Sequence, residues 1–419
     1  MGGPIGRSRD ARGANQVSGV EDGHRPAASI EPRDEEAEVG RFRRHLEGIL
    51  GTPATEGNRI EILRNGDQIF PAMFEAVDAA ERTIDFLTFV YWEGKVGEEL
   101  AGRLCARARA GVRVRVLLDA LGARTMDRRL LDDMADAEVD VRWFRPLHRF
   151  RPLEVNHRTH RKVLIVDEEV AFTGGVGIAD EWTGDARDER EWRDTHFRLN
   201  GPAVDGLRSA FLDNWSETTP ELFSDIDTFP EQPQPGSSVV QCVRGAAETG
   251  WSDIDILFRT LVELAVRRVR ITTAYFVPDA EIRRRLCSAA DRGVEIEILL
   301  PGPHIDKRFV QLAGQGAYEE LIEHGIDIWH FQPSMLHAKV MTVDGIVANI
   351  GSANLNARSV ARDEEVNLVV IDPDITAALD RQFDEDLERS TRIEPGRWER
   401  RALTQRVAEA VLAPLRPQT

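Results

Sequence analysis

From about Ile60 onward, apolar and polar positions along the chain fall into short blocks that alternate between two periods. Residues 60–63 read as a short strand, Asn65-Gly66-Asp67 as a turn, 71–80 as a helix and 83–92 as a buried strand. Residues 98–110 carry helical spacing, and Gly111-Val-Arg-Val-Arg-Val-Leu-Leu118 alternates as a strand does. The second half repeats this order, with strands at 239–243, 269–277 and 293–300 and helices at 254–265 and 280–292. Strands alternating with helices predict an α/β fold, each half a mainly parallel mixed sheet flanked by helices.

Three landmarks recur at nearly one offset. Tyr275 follows Tyr91 by 184 residues, Gly293 follows Gly111 by 182 and His337 follows His160 by 177. A shared offset across separate landmarks points to duplication. The expected division is a disordered tail at 1–40, a first lobe at 41–228, a linker at 229–238, a second lobe at 239–390 and a C-terminal amphipathic segment at 391–419. In that last segment Leu403, Val407 and Val411 recur every four residues beside Trp398, Arg397, Arg400, Arg401 and Arg406. It reads either as a helix packed on the body or as one lying in a membrane surface.

Composition narrows the function. With 419 residues and 42% hydrophobic content the chain can bury a substantial core, and no apolar run approaches the roughly 18 residues of a membrane span. The N-terminus lacks a secretory apolar stretch, so the expected location is the cytoplasm. Cys105, Cys242 and Cys287 are scattered and odd in number, as buried thiols are. A formal charge of −18 argues against a general polyanion surface, so no nucleic acid is expected. One stretch runs against that charge: Arg142, Arg145, Arg149, Arg151, Arg158, Arg161 and Lys162 meet one acid, Glu154, and alternate with Trp143, Phe144 and Phe150. Such a loop suits an anionic headgroup or interface.

That loop leads into the most informative pattern. His160-Arg-Lys162-Val-Leu-Ile-Val-Asp167 and His337-Ala-Lys339-Val-Met-Thr-Val-Asp344 share one spacing. In a strand, His and Lys two positions apart project from one face. Small-residue turns follow both, Thr173-Gly174-Gly175-Val176-Gly177 and Gly351-Ser352-Ala353-Asn354, where backbone amides can approach phosphate oxygens. An imidazole with a pKa of about 6.5 can be a nucleophile on one residue and a proton carrier on another. Lys162 and Lys339 would then neutralise phosphate oxygens, with neither metal nor cofactor needed. Each histidine also needs a partner on its other ring nitrogen. Asp194 follows the first motif histidine by 34 residues and Glu365 follows the second by 28. Asp167 and Asp344 complete the motifs; their position before turns favours bracing the loops over direct chemistry.

Together these residues resemble the phospholipase D superfamily, defined by paired HxKxxxxD motifs, and within it bacterial cardiolipin synthases of the short type lacking N-terminal membrane spans. The likeness covers about residues 59–388. Its more specific elements are Asn156-His157-Arg158-Thr159-His160-Arg161-Lys162, Gly174 through Glu181, Trp192-Arg193-Asp194 with Gly201-Pro202-Ala203-Val204, Ala274-Tyr275-Phe276-Val277-Pro278-Asp279, and Met335 through Ser359. The resemblance implies two lobes with the active site at their interface. It also implies transfer of a phosphatidyl group, typically from one phosphatidylglycerol to another with release of glycerol, through a phosphohistidine. His160 would be the nucleophile and His337 the general acid and base. Tyr275, Arg149, Arg151 and Arg158 are the candidates for substrate contact. The protein would then meet the anionic inner face of the membrane peripherally.

Two positions depart from the pattern. Gly177 stands where the family usually has Asn, whereas the second copy keeps Asn354, so one side-chain amide is missing from the first half. The first turn has Gly175 where the second has Ser352, a difference common in the synthase branch. Three other readings remain: hydrolysis of phospholipid, nuclease activity within the same superfamily, and a lipid-binding scaffold without turnover.

Overall fold

The computed structural model describes residues 34–146, 157–219, 229–245 and 252–395. The C-terminal segment from 396 and the basic loop at 147–156, with Arg149 and Arg151, lie outside the described residues.

Each half begins with strand–helix–strand units. In the first, strands Thr83–Thr88, Arg113–Asp119 and Asp140–Phe144 run parallel, connected by helices Lys95–Arg109 and Arg128–Asp136. In the second, Arg268–Thr272, Glu295–Pro301 and Asp327–Phe331 do the same, with Ala280–Asp291 as the first crossover helix. Each half then adds an antiparallel set. Val163–Val166, Val170–Gly174 and Thr195–Asn200 lead to Thr55–Arg64, and Val340–Val343, Val347–Gly351 and Glu365–Ile371 lead to Ser238–Gly245. Thr55–Arg64 and Ser238–Gly245 pair with each other, so both halves join in one sheet of 15 strands.

The sheet corrects the expectation of mainly parallel strands. Of its 14 neighbouring pairs, four are parallel and ten antiparallel. Helical crossovers make the parallel pairs, whereas the motif strands reverse through tight turns that admit only antiparallel neighbours. Those turns carry Asp167 and Glu168 at φ 52° and 64°, and Asp344 at φ 56°. Both His-x-Lys segments are extended, but the strands proper start one residue after each lysine.

The domain boundaries also shift. Residues expected in the disordered tail begin helix Glu35–Leu50, whose N-cap Asp34 accepts from the Ala37 amide. Its buried Phe42 and Leu46 pack with Val243, Ile254, Leu257 and Leu261, so this helix joins the second half's core, not the first's. The Asn65-Gly66-Asp67 turn is the start of helix Asn65–Ala79. Ser238 of the expected linker already opens a strand. A third core cluster contains Leu87, Val163, Ile165 and Phe211 from the first half and Val240, Ile350, Leu368 and Leu379 from the second. Core shared in this way ties the lobes together.

The duplication is visible in the fold, with one landmark moved by a residue. Tyr91 bridges to Ile178, and Phe276 pairs with Leu355. The Thr88 hydroxyl donates to the Val90 carbonyl (3.0 Å) as that of Thr273 does to the Tyr275 carbonyl (3.2 Å). Tyr91 therefore matches Phe276, and Tyr275 matches Val90. All three cysteines are free, and Cys105 and Cys287 are buried. Among the described residues no helix is long and apolar enough to cross a membrane.

Candidate active site

Two isolated backbone bridges cross between the halves and fix the site. The His160 amide donates to the Glu364 carbonyl and the Glu364 amide to the Arg158 carbonyl, both at 2.8 Å. On the other side the His337 amide donates to the Arg193 carbonyl (2.7 Å) and the Arg193 amide to the Met335 carbonyl (2.8 Å). Extended backbone next to each bridge brings a histidine to the carboxylate one residue beyond it. His160 Nδ1 is 3.0 and 3.1 Å from the Glu365 carboxylate oxygens, and His337 Nδ1 is 2.9 Å from Asp194 Oδ2. The partners are thus crossed. Each carboxylate follows its own half's motif in sequence but serves the other half's histidine.

The carboxylates are held differently, which accounts for the two turns. Asp194 accepts from Trp182 Nε1 (2.9 Å) and the Thr195 amide (2.8 Å), and a Cβ on Gly175 would lie 2.3 Å from its Oδ1. Glu365 instead accepts from the Ser352 hydroxyl at 2.5 Å. Gly175 is therefore the room Asp194 occupies, and Ser352 a donor to Glu365. Gly177 has a similar explanation. A Cβ there would meet Val90 Cβ at 2.6 Å, whereas its counterpart Asn354 is buried and accepts from the Thr273 hydroxyl at 3.4 Å. The Asn354 amide serves the packing of its turn, and in the first half Val90 fills that space.

The two lysines complete the polar floor. Lys162 Nζ donates to the His160 carbonyl (2.7 Å) and lies 5.6 Å from the centre of the Phe89 ring. Lys339 Nζ bonds the His337 carbonyl and lies 2.9 Å from Nδ1 and 3.3 Å from Nε2 of the same residue's ring. Burial, opposed by Glu365, lowers Lys162 to about 7, and burial opposed by Asp194 lowers Lys339 to about 8. Burial likewise brings His160 down to about 4 and His337 to about 3, while Glu365 and Asp194 pull the two imidazoles the other way. For Asp194, burial acts upward but His337 and Lys339 outweigh it and hold the carboxyl at about 2; Glu365 is lowered against burial by His160 and Lys162. Lys339 acts on His160 and Lys162 on His337, so the two half-sites share one field.

Other expected residues have different fates. Asp167 accepts from the backbone amides of Glu81, Arg82 and Thr83 at 2.7–2.8 Å. Asp344 accepts from those of Val266, Arg267 and Arg268 at 2.7–3.2 Å. Both brace loops at the far ends of the motif strands, which corrects their inclusion among catalytic candidates. Arg158 is buried, its Nε 3.0 and 3.1 Å from the Asp119 oxygens and its other nitrogens on the Arg145 and Phe144 carbonyls. With its donors engaged there, Arg158 is corrected from substrate contact to structural support of the His160 segment. The Tyr275 ring lies edge-on to His337 at 6.4 Å.

Three aromatic neighbours were not among the expected site residues, although Trp192 stands in the Trp192-Arg193-Asp194 element. The ring of Trp182 is 5.1 Å and that of Trp192 5.6 Å from His337, and Phe89 is 5.4 Å from His160. Trp192 was within reach of alternation, since it stands two residues before Asp194 and shares its face. Its counterpart across the duplication is Asp363, two residues before Glu365. Asp363 is buried, pushed up to about 7 by that burial, and its Oδ1 has no hydrogen-bond partner among the described residues. The matching position is therefore aromatic beside His337 and acidic in the other half-site, where Asp363 acts on Lys162 and Phe89 is the aromatic neighbour of His160. No group of acidic, histidine or cysteine side chains suited to a metal occurs among the described residues.

A family profile described as "Cardiolipin synthase, PLD-like domain" matches residues 73–189 and 258–387. A cardiolipin synthase of Geobacillus kaustophilus (strain HTA426) is 33% identical over 368 residues, spanning 87% of this chain and 73% of its own length. The probable cardiolipin synthase YwiE of Bacillus subtilis (strain 168) is 32% identical over 355 residues, spanning 84% and 71%. Among solved structures, the phosphatidylserine synthase of Haemophilus influenzae Rd KW20 superposes with a TM-score of 0.68 at 14% identity, covering 90% of this chain and 97% of that one. A polyphosphate kinase from Porphyromonas gingivalis does so at 0.52 and 16%, covering 83% and 52%. These two likenesses concern the fold.

Proposed function

The chain belongs to the cardiolipin synthase family of phospholipase D-like proteins, and on that premise we propose that it is a phosphatidyltransferase joining two phosphatidylglycerol molecules through a phosphohistidine. The observation that carries this reading is the crossed pairing of His160 with Glu365 and His337 with Asp194, in half-sites close enough for Lys339 to act on His160 and Lys162 on His337. On His160, Nδ1 is engaged by Glu365 and Nε2 is left for chemistry; on His337, Nδ1 meets Asp194 and Nε2 lies 3.3 Å from Lys339 Nζ, the cation that would share the phosphate with it.

In the first displacement His160 Nε2 attacks phosphorus while the bond to the headgroup oxygen breaks; His337 enters this step as the imidazolium that Asp194 stabilises, gives that oxygen its Nε2 proton and is left neutral, releasing glycerol. In the second, a hydroxyl of another phosphatidylglycerol loses its proton to His337 and attacks phosphorus, and the bond to His160 breaks. Lys162 and Lys339 neutralise the non-bridging oxygens as charge gathers in a site screened from water. Glu365 stabilises positive charge on His160 while it is phosphorylated, and Asp194 does so for protonated His337.

The same reading has the protein meeting an anionic membrane peripherally at the inner face of the cell. Lys307 and Arg308 beside half-exposed Phe309, near the Tyr275 side of the cleft, support such contact. Purified protein incubated with phosphatidylglycerol vesicles, with products read by mass spectrometry, tests the reaction. Cardiolipin and glycerol are expected in equal amounts, and phosphatidic acid without cardiolipin would make the enzyme a lipase.

A further inference from the structure

The walls of the cleft differ most around His337. Past Asp194 and Lys339, which meet its ring directly, Trp182, Trp192 and Tyr275 surround it, and this aromatic wall ends at one polar point. That point is the Tyr275 hydroxyl, which lies 2.8 Å from both oxygens of Asp306. Lys307, next to Asp306 in the chain, has its Nζ 4.9 Å from the centre of the Tyr275 ring. The first half has no such group, because Val90 occupies the position that Tyr275 takes in the second. Asp306 was not among the residues singled out in the sequence.

We propose that Tyr275, Asp306 and Lys307 form the subsite for the alcohol, and that they select a vicinal polyol by binding the hydroxyl next to the one that reacts. This rests on the phosphatidyl-transfer reading given above. An alcohol entering or leaving in line must have its reacting oxygen at His337, which handles its proton. The hydroxyl on the adjacent carbon then reaches past the ring toward the Tyr275 edge of the aromatic wall, where the phenol oxygen and Asp306 stand. A carboxylate has about four lone-pair directions, and a single phenol proton uses one of them. Asp306 is exposed and keeps the rest for hydroxyl donors. The Tyr275 oxygen, its proton given to Asp306, can accept a hydroxyl, and Lys307 can donate to one. The field of Asp306 and Lys307 is felt at Lys339, as expected of groups at the rim of the same cleft.

Diacylglycerophospho-p-nitrophenol serves as the donor in the test, because its leaving group carries no hydroxyl chain. Nitrophenol release counts phosphoenzyme formed, and the ratio of transfer product to phosphatidic acid counts its fate, at fixed glycerol or fixed ethanol. For Asp306→Asn the ratio with glycerol should fall about tenfold, the loss of a hydrogen bond to a charged group, and for Tyr275→Phe it should fall severalfold. With ethanol, which has one hydroxyl, both variants should keep the wild-type ratio. Equal falls with both acceptors, or no fall with glycerol, would overturn the subsite. A wild-type protein that releases no nitrophenol would overturn the transfer reading itself, and the subsite with it.

Discussion

Glu365 lies 205 residues from His160 in the chain and 3.0 Å from its Nδ1 in space, and the reciprocal pair, Asp194 and His337, repeats that crossing at 2.9 Å. Neither half can assemble a complete histidine–carboxylate pair from its own residues. The bridges Thr159 to Glu364 and Arg193 to Leu336 make the exchange at backbone level, one residue from each carboxylate. Movement of one lobe on the other would therefore disturb both imidazoles together.

Removing charge from either carboxylate while keeping its shape should uncouple chemistry from folding. Glu365→Gln and Asp194→Asn should each lower kcat by about two to four orders of magnitude, through loss of the favoured tautomer and of imidazolium stabilisation. Stopped-time assays at saturating lipid, set beside thermal unfolding, check this. A loss under tenfold in both variants would mean that the carboxylates do not orient the rings.

Gly175→Ser should be harmful although Ser352 is the natural residue at the matching position. Its Cβ would have to share space with Asp194 Oδ1, so the carboxylate must leave His337. Activity should fall more than tenfold, an order-of-magnitude expectation for a displaced catalytic hydrogen bond. Ser352→Ala removes one hydrogen bond to Glu365 and should cost less. The two kcat values, measured in parallel, decide the order.

The lysines set an alkaline limit. With folded values lowered to about 7 for Lys162 and about 8 for Lys339, their charge is present below those values and lost as pH rises through them. Since kcat/KM reports the free enzyme, it should decline from about pH 7 upward. In Lys162→Arg the guanidinium stays charged, and the remaining decline should move toward the Lys339 value. A profile that keeps rising through pH 9 would contradict this assignment.

Asp167 and Asp344 should act on stability. Each carboxylate holds three backbone amides, so Asp167→Asn and Asp344→Asn should each cost about 1–3 kcal/mol, the larger cost falling on the more buried Asp344. Denaturant titration measures that cost. Turnover per folded molecule should stay within a few-fold of wild type, unlike the histidine variants.

Much of this site could be read from the chain because its signals are local. Identical spacing of His160 to Asp167 and His337 to Asp344, followed by small residues, needs no tertiary information. What stayed hidden depends on contacts between distant segments. The crossing of Asp194 and Glu365 cannot be inferred from intervals of 34 and 28 residues, which suggest partners within each half. Helix Glu35–Leu50 was hidden for a related reason: its buried positions, Phe42 and Leu46, are few, and their partners lie about 200 residues away. Strand direction was misjudged because helical crossovers are conspicuous in sequence whereas tight reversals at Asp167 and Asp344 are short. Arg158 looked like a headgroup ligand until its partner Asp119 was seen, since a charge count cannot distinguish a solvated arginine from a buried, paired one.

The central claim is that His160 and His337 act in sequence on one phosphorus, and trapping the intermediate tests it most directly. In His337→Ala, incubated with the p-nitrophenyl donor and quenched in base, where phosphohistidine survives, peptide mass spectrometry should find a phosphatidyl group on His160. His160→Ala should give no adduct and no turnover. A phosphatidyl group found on His337, or turnover that persists without His160, would contradict the account.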